Sequence, residues 1–387
     1  MVKKIAIVTG TRAEYGLLKP VIRLLMSSPG VETQIFVTGM HLSPEFGTTI
    51  REIEDDGIHV TERMEILLSS DSFVGMGKSM GLAMIGFTEV FARNKPYLVV
   101  LLGDRFEIFC AAASATVARV PIAHIHGGEL TLGAIDDAFR HSISKMSCLH
   151  FTSTEEYRKR VIQMGESPET VHNVGSLGVE AIRTLNLWSR ERLESDLGIR
   201  FRQHNILVTF HPVTLDNHPA REQLNNLFAA LDGVPDAMVV FTKANADAQG
   251  RAINEMIDGY VALHGDRVSA YSSLGQTRYL SLMRQCSVVV GNSSSGIIEA
   301  PSIGVPTVNI GDRQKGRVRA ESVIDCVAEC AEILSSIVKA LDLVRTDGSV
   351  LRNPYEGNNT AETIVQTIMK KIFQGFEQKT FHDVRID

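Results

Sequence analysis

Carboxylates and imidazoles crowd into residues 99–141: Asp104, His126, Glu129, Asp136 and Asp137, with His124 and His141 beside them. These are the groups that carry protons and stabilise developing positive charge. The apolar run Leu98–Leu102 ends in Gly103, Asp104 and Arg105. A second run, Pro121–Ile125, carries His124 and is followed by His126, Gly127, Gly128 and Glu129. Buried parallel strands deliver polar residues in this way at their carboxyl ends, where open α/β sheets place their ligands. Asp136 and Asp137 suit the first turn of the next helix. Any one of these residues alone fits a structural role. Two successive strand ends carrying glycine and ionisable side chains point to a site.

A second constellation lies further along. Val288–Val290 runs into Gly291, Asn292, Ser293, Ser294, Ser295 and Gly296, with Glu299 on the following helix. Backbone N–H groups and hydroxyls at a helix start receive anions. The glycine-bearing loop 311–319 holds Arg313, Lys315, Arg317 and Arg319. In a chain of net charge −6 such a local cluster points to an anionic ligand, a phosphate or diphosphate, whose geometry arginine matches. Arg12, after the first strand of one half, and His211, after the first strand of the other, are expected at the same crevice.

Other chemistries find less support. The loop after the first strand is Gly-Thr-Arg-Ala-Glu (10–14), with neither a dinucleotide fingerprint nor a P-loop. The pair His124 and His126, with Asp136 and His141, permits a metal, but strand alternation divides neighbouring residues between faces. Cys326 and Cys330 lack a second pair. No metal and no cofactor are expected. Charge of both signs is dispersed, which argues against nucleic acid or a membrane surface as partner. No apolar run reaches membrane-spanning length, and the amino-terminal run stops at Thr9, too short for a signal-peptide core. Five cysteines without framework spacing fit the cytoplasm.

The elements that must hold these residues alternate strand and helix throughout 387 residues, a length that favours two domains. Expected strands include Lys4–Val8 and Glu32–Val37, with a loop over 9–16 and a helix from Leu17. Ser153 with Glu156 reads as a capping box. Residues 189–204 look charged and irregular. A fresh series follows, with strands near Ile206–Phe210, Met238–Thr242, Val268–Ala270, Ser287–Val290 and Thr307–Ile310. Asn359 and Glu362 mark the start of a last helix, and the polar tail 374–387 is expected to be loosely held. The fold class is α/β, with two Rossmann-like domains facing across a cleft. The domains are 1–178, with the carboxylates, and 179–359, with the anion site; residues 360–387 form a terminal helix and tail.

Together the motifs resemble the hydrolysing UDP-N-acetylglucosamine 2-epimerases, in particular the branch feeding sialic acid synthesis. The resemblance rests on Gly-Thr-Arg-Ala-Glu-Tyr-Gly (10–16), Val-Thr-Gly-Met-His (37–41), Leu-Gly-Asp-Arg (102–105) and His-Ile-His-Gly-Gly-Glu (124–129). It extends to Ile-Asp-Asp (135–137) with Arg-His-Ser (140–142), Phe-His-Pro (210–212), Gly-Asn-Ser-Ser-Ser-Gly (291–296) and Ile-Gly-Asp-Arg-Gln (310–314). It implies a GT-B-like fold, a last helix crossing back to the first domain, and a homodimer. It implies UDP contacts from Arg12, Arg105, His211, Asn245, Ser293, Ser294, Glu299 and Arg313, with Glu299 at the helix start serving the ribose. It implies catalytic roles for Asp104 and Asp136, with His126 and Glu129 handling or positioning protons. His126 stands where many members carry glutamate. The implied reaction turns UDP-N-acetylglucosamine and water into N-acetylmannosamine and UDP through a glycal. The alternatives are the same reaction on UDP-2,4-diacetamido-2,4,6-trideoxy-glucose, for legionaminic acid, and a UDP-sugar glycosyltransferase.

Overall fold

Each apolar run that ends in small or polar residues becomes a parallel strand in the computed structural model, which describes residues 2–68, 70, 72–132, 134–211, 220–244, 250–342 and 353–384. The chain divides into two units. One comprises Met1–Glu129, Asp136–Glu180 and Tyr355–Asp387; the other comprises Leu130–Ile135 and Ala181–Pro354. These limits differ from the expected 178/179 and 359/360. Leu177–Thr184 forms a helix that runs through the first limit. At the second, the return to unit 1 begins ahead of the last helix: the Tyr355 hydroxyl lies 2.7 Å from that of Tyr157, and Ser176 N–H donates to the Tyr355 carbonyl.

Unit 1 contains, in order, β1 (Lys3–Thr9), α1 (Arg12–Met26), β2 (Val31–Thr38), α2 (Ile50–Asp55), β3 (Glu62–Met64), α3 (Phe73–Asn94) and β4 (Leu98–Leu102). There follow α4 (Phe106–Val117), β5 (Ile122–Ile125), α5 (Asp136–Met146), β6 (Leu149–Thr152), α6 (Glu155–Gln163), β7 (Val171–Asn173) and α7 (Leu177–Thr184). Its seven strands are all parallel in the order β3-β2-β1-β4-β5-β6-β7. The four central residues of β1 and all five of β4 lie fully or almost fully out of water, so these strands read as continuous apolar runs with no alternation.

Unit 2 contains α8 (Arg190–Leu197), β8 (His204–Thr209), α9 (Ala220–Asp232), β9 (Ala237–Thr242), α10 (Gly250–Leu263), β10 (Val268–Tyr271) and α11 (Gly275–Gln285). Then come β11 (Val288–Gly291), α12 (Ser294–Ile298), α13 (Ala300–Ile303), β12 (Thr307–Ile310), β13 (Val323–Cys326) and α14 (Cys330–Asp342). Its order, β10-β9-β8-β11-β12-β13, is the doubly wound arrangement, again parallel. Order reverses between β1 and β4 in one sheet and between β8 and β11 in the other. Those two switch points are where such sheets bind ligands. The last helix, α15 (Thr360–Gln374), rejoins unit 1 with Ile364, Ile368 and Ile372 buried in its core.

Four local expectations change. First, α1 starts at Arg12 rather than Leu17, because Thr11 and Glu14 form a reciprocal capping box. Second, the cap of α6 is Thr154, whose hydroxyl accepts from Tyr157 N–H; Ser153 is used elsewhere, as shown below. Third, the charged segment 189–204 holds α8, capped by Ser189 and stopped by Gly198 in the left-handed conformation. Fourth, the tail is pinned. Lys379 Nζ donates to the carbonyls of Lys145 and Ser147 and lies 2.7 Å from the buried carboxylate of Glu166, which also meets Lys145 and His150. These contacts hold the Glu166 carboxyl near pKa 2 despite its burial.

Replacing Lys379 by methionine should therefore lower stability by about 1.5–3 kcal/mol, the range for a hydrogen bond to a charged group. Urea midpoints measure it. An unchanged midpoint would return the tail to the surface.

Candidate active site

In unit 1 neutral histidines hold the strand ends: one joins β5 to the turn after β4, and another binds the end of β1. His124, fully buried on β5, donates from Nε2 to the Gly103 carbonyl at 2.7 Å, so its Nδ1 accepts from the Ser144 hydroxyl at 3.0 Å. Burial pushes its pKa down to about 3. With both ring nitrogens engaged, His124 anchors the turn bearing Asp104. His41 plays the same part under β1: its ring meets the hydroxyls of Thr9 and Thr49 at 3.0 and 2.8 Å, and burial lowers its pKa to about 4. Arg12 opens α1 and pairs with Glu52 at 2.6 Å.

Above these supports stand the carboxylates. Asp104 forms an ion pair with Arg140, an α5 arginine only 3% exposed. Arg140 Nη1 donates to the Glu129 carbonyl at 2.9 Å and lies 3.6 Å from Asp137. Glu129 is itself 3% exposed and accepts from the Ser153 hydroxyl at 2.7 Å. His126 adopts a left-handed backbone, φ 66°, at the turn between them, and its N–H donates to the Phe151 carbonyl. Asp136 opens α5, half-buried. Arg105 occupies the position before α4, its Nε 2.9 Å from Glu107. Neither Arg140, which enters the sequence reading only within the Arg-His-Ser motif, nor Ser153, which reads there only as a helix cap, is expected as a site residue. Arginine four residues after an acidic helix start was the available signal for Arg140; nothing local marks Ser153 as more than a cap.

In unit 2 the organising residue is Asn292, 0% exposed. Its Oδ1 accepts from His211 N–H and its Nδ2 donates to the His211 carbonyl, both at 2.8 Å. Its own carbonyl accepts from Arg313 Nη1 at 3.0 Å and from Gln314 Nε2 at 2.8 Å. One amide thus joins the ends of β8 and β11 to the loop after β12. Gly291 precedes it at φ 134°, where an added Cβ would lie 2.0 Å from the Thr209 carbonyl oxygen; only glycine permits that approach.

Ser293 caps α12 and Ser294 is its first residue. Glu299 stands at a helix start, but not that of the serines: it is the C-cap of α12 and the N-cap of α13, which begins at Ala300. Tyr279, not anticipated, faces Ser295, Thr209 and Glu299, and burial pushes its pKa up to about 12. Of the cations in the loop, Lys315 pairs with Asp312 and Arg319 with Asp325, while Arg317 donates to Thr131. The same loop packs on residues 130–132 through Gly316 and the Leu132 N–H. Asn245 and Pro212 lie outside the described residues. Among the described residues no helix is long and apolar enough to cross a membrane.

A family model described as UDP-N-acetylglucosamine 2-epimerase matches residues 23–369. A Campylobacter jejuni protein named GDP/UDP-N,N'-diacetylbacillosamine 2-epimerase (hydrolyzing) is 43% identical over 323 residues, 84% of each chain. The Escherichia coli polysialic acid biosynthesis protein P7 is 38% identical over 99% of this chain and 98% of its own. A crystal structure of UDP-GlcNAc 2-epimerase from Neisseria meningitidis, bound to UDP-GlcNAc, shares the GT-B-like fold at a TM-score of 0.76. It is 18% identical, over 95% of this chain and 100% of that one.

The buried histidines set a pH dependence. His41, His124 and His150 all have folded pKa values below the usual 6.5, because burial disfavours their charged forms. Their contribution is complete above pH 6.5 and drains away as pH falls toward the folded values, since the unfolded chain takes up the protons first. Melting temperature should decline from about pH 6.5 toward pH 4. A flat profile over that window would mean that these rings accept protons in place.

Proposed function

The chain belongs to the UDP-N-acetylglucosamine 2-epimerase family, and from that membership we propose that it hydrolyses a UDP-2-acetamido sugar with inversion at carbon 2. The observation that carries the chemistry is the buried Arg140, bonded to Asp104 after β4 and to the Glu129 carbonyl after β5. It collects two carboxylate-bearing strand ends at the switch-point side of one sheet. Loss of the carbon 2 proton and departure of UDP from carbon 1 leave a carbon 1–carbon 2 double bond. Water then returns hydroxide to carbon 1 and a proton to the opposite face of carbon 2. Asp104, held ion-paired, stabilises positive charge at carbon 1; Asp136 and His126 exchange the proton, and Glu129 positions them. Arg313, Ser293 and Ser294 take the diphosphate, Glu299 the ribose, and Arg12, Arg105, His211 and Asn245 complete the nucleotide contacts.

Two sugars are supported. The name of the 43%-identical relative supports the 2,4-diacetamido-2,4,6-trideoxy sugar of diacetylbacillosamine, as does His126 in the place many members give to glutamate. The 38%-identical polysialic acid protein supports UDP-N-acetylglucosamine and sialic acid synthesis. Proton NMR of parallel incubations with each sugar nucleotide, without any acceptor, tests the reading. Release of UDP with the manno-configured free sugar supports it. Transfer to an added acceptor and no free sugar would support a glycosyltransferase instead.

Asp104→Asn and Asp136→Asn should retain UDP affinity while turnover falls by ~10²–10⁴-fold. Equal losses of affinity, melting temperature and turnover would make both residues structural. Arg313→Ala should weaken UDP binding by about 1.5–3 kcal/mol in calorimetry; unchanged affinity would remove it from the site. We also propose a homodimer through the outer face of α3, where Phe73, Val74, Leu82 and Ile85 are exposed beside Gly77 and Gly81. Ile85→Glu should convert a dimer to monomers in sedimentation; a wild-type monomer would refute it.

A further inference from the structure

Glu107 is the second residue of α4, and an acid there ordinarily faces water and favours the helix dipole. This one is 1% exposed. Its carboxylate turns back toward β1, into space that Gly10 leaves. A Cβ on Gly10 would lie 2.7 Å from Glu107 Cγ and Oε1, and one on Gly39 would lie 3.5 Å from Oε1. Burying a carboxylate is costly unless it is paired. Oε1 accepts from Arg105 Nε at 2.9 Å, while Oε2 is buried and has no hydrogen-bond partner among the described residues.

A second buried carboxylate stands beside it. Glu14 Oε2 accepts from the Gly10 and Thr11 N–H groups at 2.8 and 3.3 Å. Burial, then the charge of Glu107, pushes its pKa up to about 8.

We infer that Glu107 is the positioning residue for Arg105: by holding Nε it fixes the guanidinium plane and aims the Nη edge at the substrate's diphosphate. A contact through Nε orients the plane, which a contact to one Nη alone does not, and a planar fork is what phosphate recognition requires. Gly10 is glycine at this place because it makes room for the carboxylate, whereas Gly39 is held by its left-handed backbone against the Gly10 carbonyl. The inference rests on the proposed assignment of Arg105 to a UDP-sugar.

Calorimetry with UDP, together with steady-state kinetics on the full chain, tests it. Glu107→Gln should raise the Kd for UDP about tenfold. KM should rise with it, while kcat stays close to wild type. Arg105→Lys should weaken UDP as Glu107→Gln does, because lysine has charge but no plane. In an Arg105→Ala background, adding Glu107→Gln should change affinity little, as expected for two residues acting as one. Wild-type affinity in Glu107→Gln or Arg105→Lys, or losses that multiply in the double variant, would overturn the inference. If Arg105→Ala alone binds UDP normally, the assignment of Arg105 fails and the inference with it. If the wild-type chain does not bind UDP, the proposed function itself fails.

Discussion

A parallel strand that ends at a ligand site leaves backbone groups that no neighbouring strand can satisfy, and burial makes each one costly. This protein meets that constraint with neutral buried side chains placed under the strand ends. In unit 2 the amide of Asn292 takes the N–H and carbonyl of His211 together. In unit 1 His124 takes the Gly103 carbonyl and His41 binds Thr9 and Thr49. The turn bearing Asp104 is anchored by His124, and His211 and Arg313 are both held on Asn292. Being uncharged at neutral pH, the supports hold the loops without competing for the charged groups above them.

Those charged groups are arranged by a different rule. Arg140 and Glu107 are both almost wholly buried, and each forms an ion pair, with Asp104 and with Arg105 respectively. A buried ion pair contributes little to net stability, but removing one member is expensive. Such pairs therefore hold a geometry more than they strengthen a fold. Asp104 is presented by Arg140, as Arg105 is presented by Glu107. The reaction proposed here needs such fixed charge, because its cationic carbon and departing diphosphate exist only briefly.

The alternation of apolar runs made the doubly wound sheets legible, and Gly-Asp and Gly-Asn at two strand ends marked the switch points. Less legible were the supports. His124 reads as a possible ligand until its two nitrogens are seen to be engaged, and Asn292 reads as one polar residue among serines. Ser153 has the spacing of a helix cap, yet the cap is Thr154 and Ser153 serves Glu129. Glu299 reads as part of the helix that follows the serines, and no local spacing shows that the chain breaks there into α12 and α13 with Glu299 between them. The tail was misread for a related reason: Lys379 finds Glu166 across more than two hundred residues, and no local pattern reports a contact of that range.

Hydrogen at carbon 2 reports most directly on the proposed reaction. The substrate should be turned over in deuterium oxide and the released sugar examined by proton NMR and mass spectrometry, with UDP counted alongside. Elimination followed by hydration predicts a manno-configured product carrying deuterium at carbon 2, one for each UDP released. A product that retains its original hydrogen there, with UDP released all the same, would contradict the account.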